Sequence, residues 1–163
     1  MEQKTKVSAE DGKREVIITR EFDLPLELLF RAYAEPDLVE QWMSQEYSTT
    51  KVLKLESKKH GSYQLETTDI KGNKYGFNGV LHEFIQNRKI TRTFEMENTP
   101  FGVQLEFYEF QQLTDDSDSN RSKLNMHVIY ESVAQRNEVL KLPFAQGINW
   151  AHNRLQEVVS KLK

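Results

Sequence analysis

Apolar positions along the 163 residues follow two rhythms, a two-residue alternation through the middle and a helical stripe at the end. Arg14 to Phe22 reads as a strand, carried by the β-branched run Val16, Ile17, Ile18 and Thr19. Asp23-Leu24-Pro25 then marks a helix entry, because proline lacks only an N–H that a helix start cannot use. Leu26, Leu29, Phe30 and Tyr33 share one face of that helix. Pro36 interrupts it and opens a second short helix, Asp37 to Met43, which buries Leu38 and Trp42.

Strands follow in procession. Thr49 to Leu55 and Gly61 to Thr68 come first, the latter with Tyr63 and Leu65 on one face. Tyr75 to Phe84 sets Tyr75, Phe77, Gly79 and Leu81 in phase, and the next strand does the same for Ile90, Arg92, Phe94 and Met96. Val103, Leu105 and Phe107 form the cleanest alternation, and Lys123 to Glu131 aligns Leu124, Met126, Val128 and Tyr130. Such alternation belongs to an antiparallel sheet with one wet and one covered face. The cover is the last helix, where Phe144, Ile148, Ala151, Leu155, Val158 and Leu162 make a continuous apolar stripe. Pro143 suits its first residue, and Ala134 to Leu142 reads as a shorter segment before it.

The pattern predicts an α+β fold. A curved antiparallel sheet of about six to seven strands carries two short helices after its first strand and a long C-terminal helix over its concave face. Residues 1–12 are expected to form a flexible N-terminal leader and 13–163 a single domain. One helix covers only part of a concave sheet. The space beneath it is either plugged by Phe and Trp or open to a guest.

Arg20-Glu21-Phe22-Asp23-Leu24-Pro25, then Leu29-Phe30-Arg31-Ala32-Tyr33 and Glu35-Pro36-Asp37-Leu38-Val39-Glu40-Gln41-Trp42, form a recognisable opening. With Gly61-Ser62-Tyr63, Gly79-Val80-Leu81 and Gly147, it resembles the activator of Hsp90 ATPase homologue 1-like (AHSA1-like) family. That family is a branch of the START-like (Bet v 1-like, SRPBCC) superfamily, and the resemblance spans roughly Arg14 to Leu162. It implies a helix-grip fold whose cavity takes a small apolar or amphipathic molecule. Relatives of this kind include chaperone partners, lipid carriers, hormone receptors and a few enzymes, so fold alone does not fix function. The chain departs from the family pattern at Met43, at His60-Gly61 and at Ile148.

Charge and composition narrow the partners. A net charge of -3 with scattered Lys and Arg offers no field for a phosphate backbone, which argues against nucleic acid. No apolar run is long enough to span a bilayer and the N-terminus lacks a signal-peptide core, so a cytoplasmic location is expected. The absence of cysteine removes disulfides and thiolate chemistry. His60, His82, His127 and His152 show no ligand spacing, and no metal or other cofactor is expected. Asp116-Ser117-Asp118-Ser119-Asn120 imitates the start of a calcium loop but continues with Arg121 where glycine is required. A solvated hairpin loop suits it better.

The candidate cavity residues are Trp42, Tyr63, Phe77, Arg92, Phe94, Phe107, Glu109, Met126, Tyr130, Phe144, Ile148 and Ala151. Each aromatic among them is also an ordinary core residue at strand or helix period. Trp42 walls the mouth or anchors the short helices, and Trp150, off the main stripe, has the same two readings. Arg92 is the sharpest signal, because a charge in an apolar phase needs a partner or a ligand carboxylate. Glu109, in phase with Phe107, is the expected partner unless both sit in water at strand ends. If Arg92 is buried, the guest is expected to be anionic at one end. Glu106, Glu109 and His127 fall in different phases or lack a nucleophile, and no catalytic constellation is found.

Three functions remain open, in order of preference. The first is non-enzymatic binding of a small hydrophobic or amphipathic ligand, which requires a void lined by these residues. The second is a protein-interaction module resembling an Hsp90 cochaperone, which requires a filled interior and an exposed apolar patch. The third is an enzyme of the superfamily, which requires cavity polar groups within hydrogen-bond reach of one another. On any of these readings the chain is expected as monomer or homodimer.

Overall fold

The computed structural model describes residues 4–113 and 120–163. The calcium-loop imitation at Asp116 to Asn120 lies, but for Asn120, outside the described residues. Among the described residues, eight strands and four helices follow in the order β1 (Lys6–Ser8), β2 (Glu15–Phe22), α1 (Leu26–Ala34), α2 (Pro36–Met43), β3 (Ser48–Leu55), β4 (Ser62–Asp69), β5 (Lys74–Ile85), β6 (Lys89–Met96), β7 (Val103–Gln112), β8 (Ser122–Ile129), α3 (Val133–Leu140) and α4 (Phe144–Ser160). The strands make one antiparallel sheet in the order β1-β2-β8-β7-β6-β5-β4-β3. This is the α+β arrangement expected, with eight strands rather than six to seven. The additional strand lies within the span read as a leader: Lys6–Ser8 pairs with Thr19, Ile18 and Ile17 of β2. Three residues are too few to show an alternation, so the sequence carried no strand signal there.

Connectivity explains how the concave face is covered. Strand β2 lies near one end of the sheet and β3 forms the other edge, so α1 and α2, which join them, must cross the sheet. Pro25 precedes the first turn of α1, and Pro36 stands at the first turn of α2. The two helices are separated by the extended Glu35, the conformation that a following proline favours. Trp42 pins them together, its Nε1 donating to the Ala32 carbonyl at 2.8 Å. Ser132 caps α3 by accepting from the Gln135 backbone N–H at 3.1 Å.

The core lies between sheet and helices. Val16, Ile18 and Phe22 of β2 and Leu124, Met126 and Val128 of β8 are buried beneath Leu24, Leu28, Leu29, Phe30, Leu155, Val158 and Val159. Each such side chain contributes about 1.5–3 kcal/mol relative to exposure. Helix α4 divides along its length. Leu155, Val158 and Val159 are fully enclosed, whereas Phe144, Ile148 and Ala151 are only partly covered and Leu162, beyond its end, is exposed. Trp150 is also exposed. The looser N-terminal half of α4 is where space remains.

One phase differs from expectation. In β7 the covered side chains are Glu106, Tyr108 and Phe110, so Val103, Leu105, Phe107 and Glu109 belong to the opposite face. Both phases of β7 are apolar, which makes alternation alone unable to choose between them. Pairing decides it: Tyr108 stands opposite Met126 of β8 and Ile90 of β6, both buried.

Candidate functional site

A cavity of about 110 Å³ lies beneath the N-terminal half of α4. Helices α1 and α2 give it Tyr33, Val39, Trp42 and Met43. The sheet supplies Leu55, Tyr63, Leu65, Arg92, Tyr108 and Met126, and α4 supplies Ile148, Ala151 and His152. The small Ala151 and the half-covered Ile148 leave the hollow open, one turn before Leu155 closes it.

Six of the expected residues meet on this wall: Trp42, Tyr63, Arg92, Met126, Ile148 and Ala151. The other six stand elsewhere. Phe77 and Phe94 stack on each other 5.5 Å apart, outside the lining. Tyr130 is buried in the core and Phe144 packs at its edge. Phe107 and Glu109 border a shallow groove on the opposite face with Ile17, Lys89, Asn125 and His127. Glu109 is exposed and is not the partner of Arg92.

That partner is Glu106. Arg92 Nε donates to Glu106 Oε1 at 2.8 Å, and Arg92 Nη2 donates to the Tyr108 hydroxyl at 2.7 Å. The Tyr108 hydroxyl in turn donates to Glu106 Oε1 at 2.8 Å, and Gln104 Nε2 donates to Glu106 Oε2 at 2.7 Å. The guanidinium lies between aromatic faces, 4.7 Å from the Tyr63 ring centre and 4.9 Å from that of Tyr108. Cation–π attraction of this kind strengthens when water is excluded. Gly79 makes room for the arrangement: a Cβ there would meet the Thr93 carbonyl at 2.0 Å and the Tyr63 ring at 2.7 Å. The Tyr63 hydroxyl therefore crosses β5 and donates to that same Thr93 carbonyl.

Burial and charge set the protonation of the site. Burial pushes the Tyr33, Tyr63 and Tyr108 hydroxyls well above the ordinary phenol range, so all three are neutral. The Arg92 guanidinium stays charged, held against the cost of burial by the Glu106 carboxylate that accepts from its Nε. His152 is pushed down to about 3, first by burial and then by the nearby charge of Arg20, and is a neutral imidazole at physiological pH. Its Nδ1 lies 2.6 Å from Thr5 Oγ1, while Arg20 Nη1 donates to the same hydroxyl at 3.4 Å and to Asn149 Oδ1 at 3.2 Å. The stretch leading into β1 is thereby tied to α4 behind the cavity wall.

The polar groups meet the hydrogen-bond criterion set for an enzyme, yet their bonds are mutual. Both Glu106 oxygens accept within this network, Oε1 from Arg92 and Tyr108 and Oε2 from Gln104. Among the described residues no cluster of His, Asp or Glu is arranged to hold a metal ion, and no helix is long and apolar enough to cross a membrane. Glu106, Tyr108, Tyr33 and His152 were not among the cavity residues expected from the sequence. The available signal was the charge pair itself, since Arg92 and Glu106 become direct neighbours once β6 and β7 are joined by the turn at Asn98.

A family model described as activator of Hsp90 ATPase homolog 1-like protein matches residues 23–160. No curated protein matches the chain. Among solved structures, a Rhodobacter sphaeroides protein aligns with a TM-score of 0.86 at 16% identity, covering 97% of this chain and 99% of its own. A Mycobacterium smegmatis protein aligns with a TM-score of 0.81 at 19% identity, covering 95% and 96% respectively. An Arthrobacter aurescens protein solved by NMR aligns with a TM-score of 0.83 at 16% identity, covering 96% and 91%. At these identities the likeness extends to the fold.

Proposed function

The chain belongs to the activator of Hsp90 ATPase homologue 1-like family, and from that premise we propose that it binds a small apolar or amphipathic molecule between its sheet and C-terminal helix. The observation that carries this reading is the hollow of about 110 Å³ under Ile148 and Ala151. Apolar side chains make most of its wall: Val39, Trp42, Met43, Leu55, Leu65 and Met126. Its polar groups gather at Arg92, where they orient a guest rather than drive its binding. Affinity comes from apolar surface withdrawn from water, at about 25 cal/mol per Å².

Native mass spectrometry of freshly purified protein tests the reading. A non-covalent adduct that disappears on denaturation is expected. Protein that carries no adduct and gains none from a panel of single-ring hydrocarbons contradicts it.

A cochaperone-like role is the second reading, supported by the family's description. It predicts that the protein changes the ATPase rate of an Hsp90 homologue; an unchanged rate at saturating protein counts against it.

A further inference from the structure

From the unspent hydrogen-bonding capacity of the cavity wall, we infer that the guest is an uncharged, single-ring-sized molecule bearing one acceptor oxygen, such as an aryl or cyclic ketone, rather than a carboxylate. The inference rests on the binding reading above and specifies the ligand class.

Size is the first constraint. A hollow of about 110 Å³ is of the order of engineered apolar cavities of about 150 Å³ that admit one benzene. A single ring fills it, whereas an extended acyl chain or a fused polycyclic skeleton would have to project out of it.

Polarity is the second. The carboxylate near the wall, Glu106, stands outside the lining and is engaged by three donors, Oε1 by Arg92 and Tyr108 and Oε2 by Gln104. Donors on the lining itself remain. Arg92 spends Nε on Glu106 and Nη2 on Tyr108, which leaves N–H groups of the guanidinium without a protein acceptor while its side chain keeps 20% exposure. The Tyr33 hydroxyl, on the same wall, is buried with no hydrogen-bond partner. A buried polar group left in that state is costly, and an acceptor on a guest relieves it.

Charge is the third. The Glu106 carboxylate already neutralises Arg92, so an incoming carboxylate would bring a second negative charge against a pair that is closed. Arg20 stands behind His152 rather than on the wall, and its Nε and Nη1 donate to the Glu21 carbonyl, Thr5 Oγ1 and Asn149 Oδ1. The anionic guest expected from Arg92 alone is therefore replaced by a neutral one.

Three probes of similar size separate the alternatives: acetophenone, ethylbenzene and benzoate, titrated into the full chain and followed by NMR. In a pocket without free donors ethylbenzene binds best, because the ketone oxygen loses its water for nothing. The inference predicts that acetophenone binds about tenfold tighter than either of the others, the worth of one good hydrogen bond. Tyr33→Phe should remove most of that advantage and leave ethylbenzene unchanged. Benzoate binding tightest, acetophenone and ethylbenzene tying, or acetophenone affinity untouched by Tyr33→Phe would overturn the inference while leaving the cavity reading intact. If none of the three binds, the cavity reading falls and the inference with it.

Discussion

Arg92 and Glu106 are direct cross-strand partners in the β6–β7 pair, and their side chains meet at 2.8 Å, Arg92 on the cavity wall and Glu106 behind it. The pair is enclosed by Tyr63 and Tyr108 and extended by Gln104, so both charges are held by neighbours fixed in the sheet. It joins the fold to the site: the register that builds the sheet also closes the charge that a guest would otherwise have to satisfy.

Breaking the pair from one side should be severe. Glu106→Ala leaves a largely buried guanidinium without its carboxylate and is expected to cost about 3–5 kcal/mol. The double variant Arg92→Leu, Glu106→Leu should be much less destabilised, because neither charge then remains buried. Urea denaturation of both variants decides the matter; a double variant as unstable as Glu106→Ala would mean that the network's packing, not its charge, matters.

The phase of β7 is open to a simple comparison. Phe110 is buried against Phe30 and Tyr33, so Phe110→Ala should cost about 3–5 kcal/mol. Phe107 is half-covered on the opposite face beside His127, and Phe107→Ala should cost about 1 kcal/mol. Thermal unfolding midpoints in the reverse order would contradict the strand's orientation.

His152 makes stability depend on pH in a defined window. Its folded value of about 3 lies below the ordinary 6.5 of an unfolded histidine. The unfolded chain therefore binds a proton at this site between those values while the native state does not. Stability is complete above pH 6.5 and falls as pH drops through the window, by about 2 kcal/mol between neutral pH and pH 5. The lowered carboxyls of Glu56, Asp69 and Glu83 act in the same direction, but below their ordinary values of 3.8 to 4.5. Chemical denaturation at pH 7, 6 and 5 measures the slope, which should flatten in His152→Gln.

The elements were readable in the chain because their periods differ and their punctuation is strong. Pro25 and Pro36 placed two helices, and the β8 alternation Leu124, Met126, Val128, Tyr130 pointed to the covered face without ambiguity. Strand β1 was invisible because Lys6–Ser8 is too short and polar to alternate. The phase of β7 misled for the opposite reason, since Leu105 and Phe107 are as apolar as Tyr108 and Phe110 and only the register against β6 and β8 distinguishes them. That error carried Glu109 and Phe107 into the candidate set and left Glu106 and Tyr108 out. Tyr33 and His152 depend on how two helices far apart in sequence meet the sheet, which no local pattern encodes.

The most direct test of the cavity uses its own methionines. Met43 and Met126 line the hollow, and Met96 on β6 does not. In protein labelled with 13C at the methionine methyl groups, ethylbenzene should shift the Met43 and Met126 resonances in a saturable way and leave Met96 in place. Resonances of Met43 and Met126 that do not move, or that move only together with Met96, would show that no guest enters beneath α4.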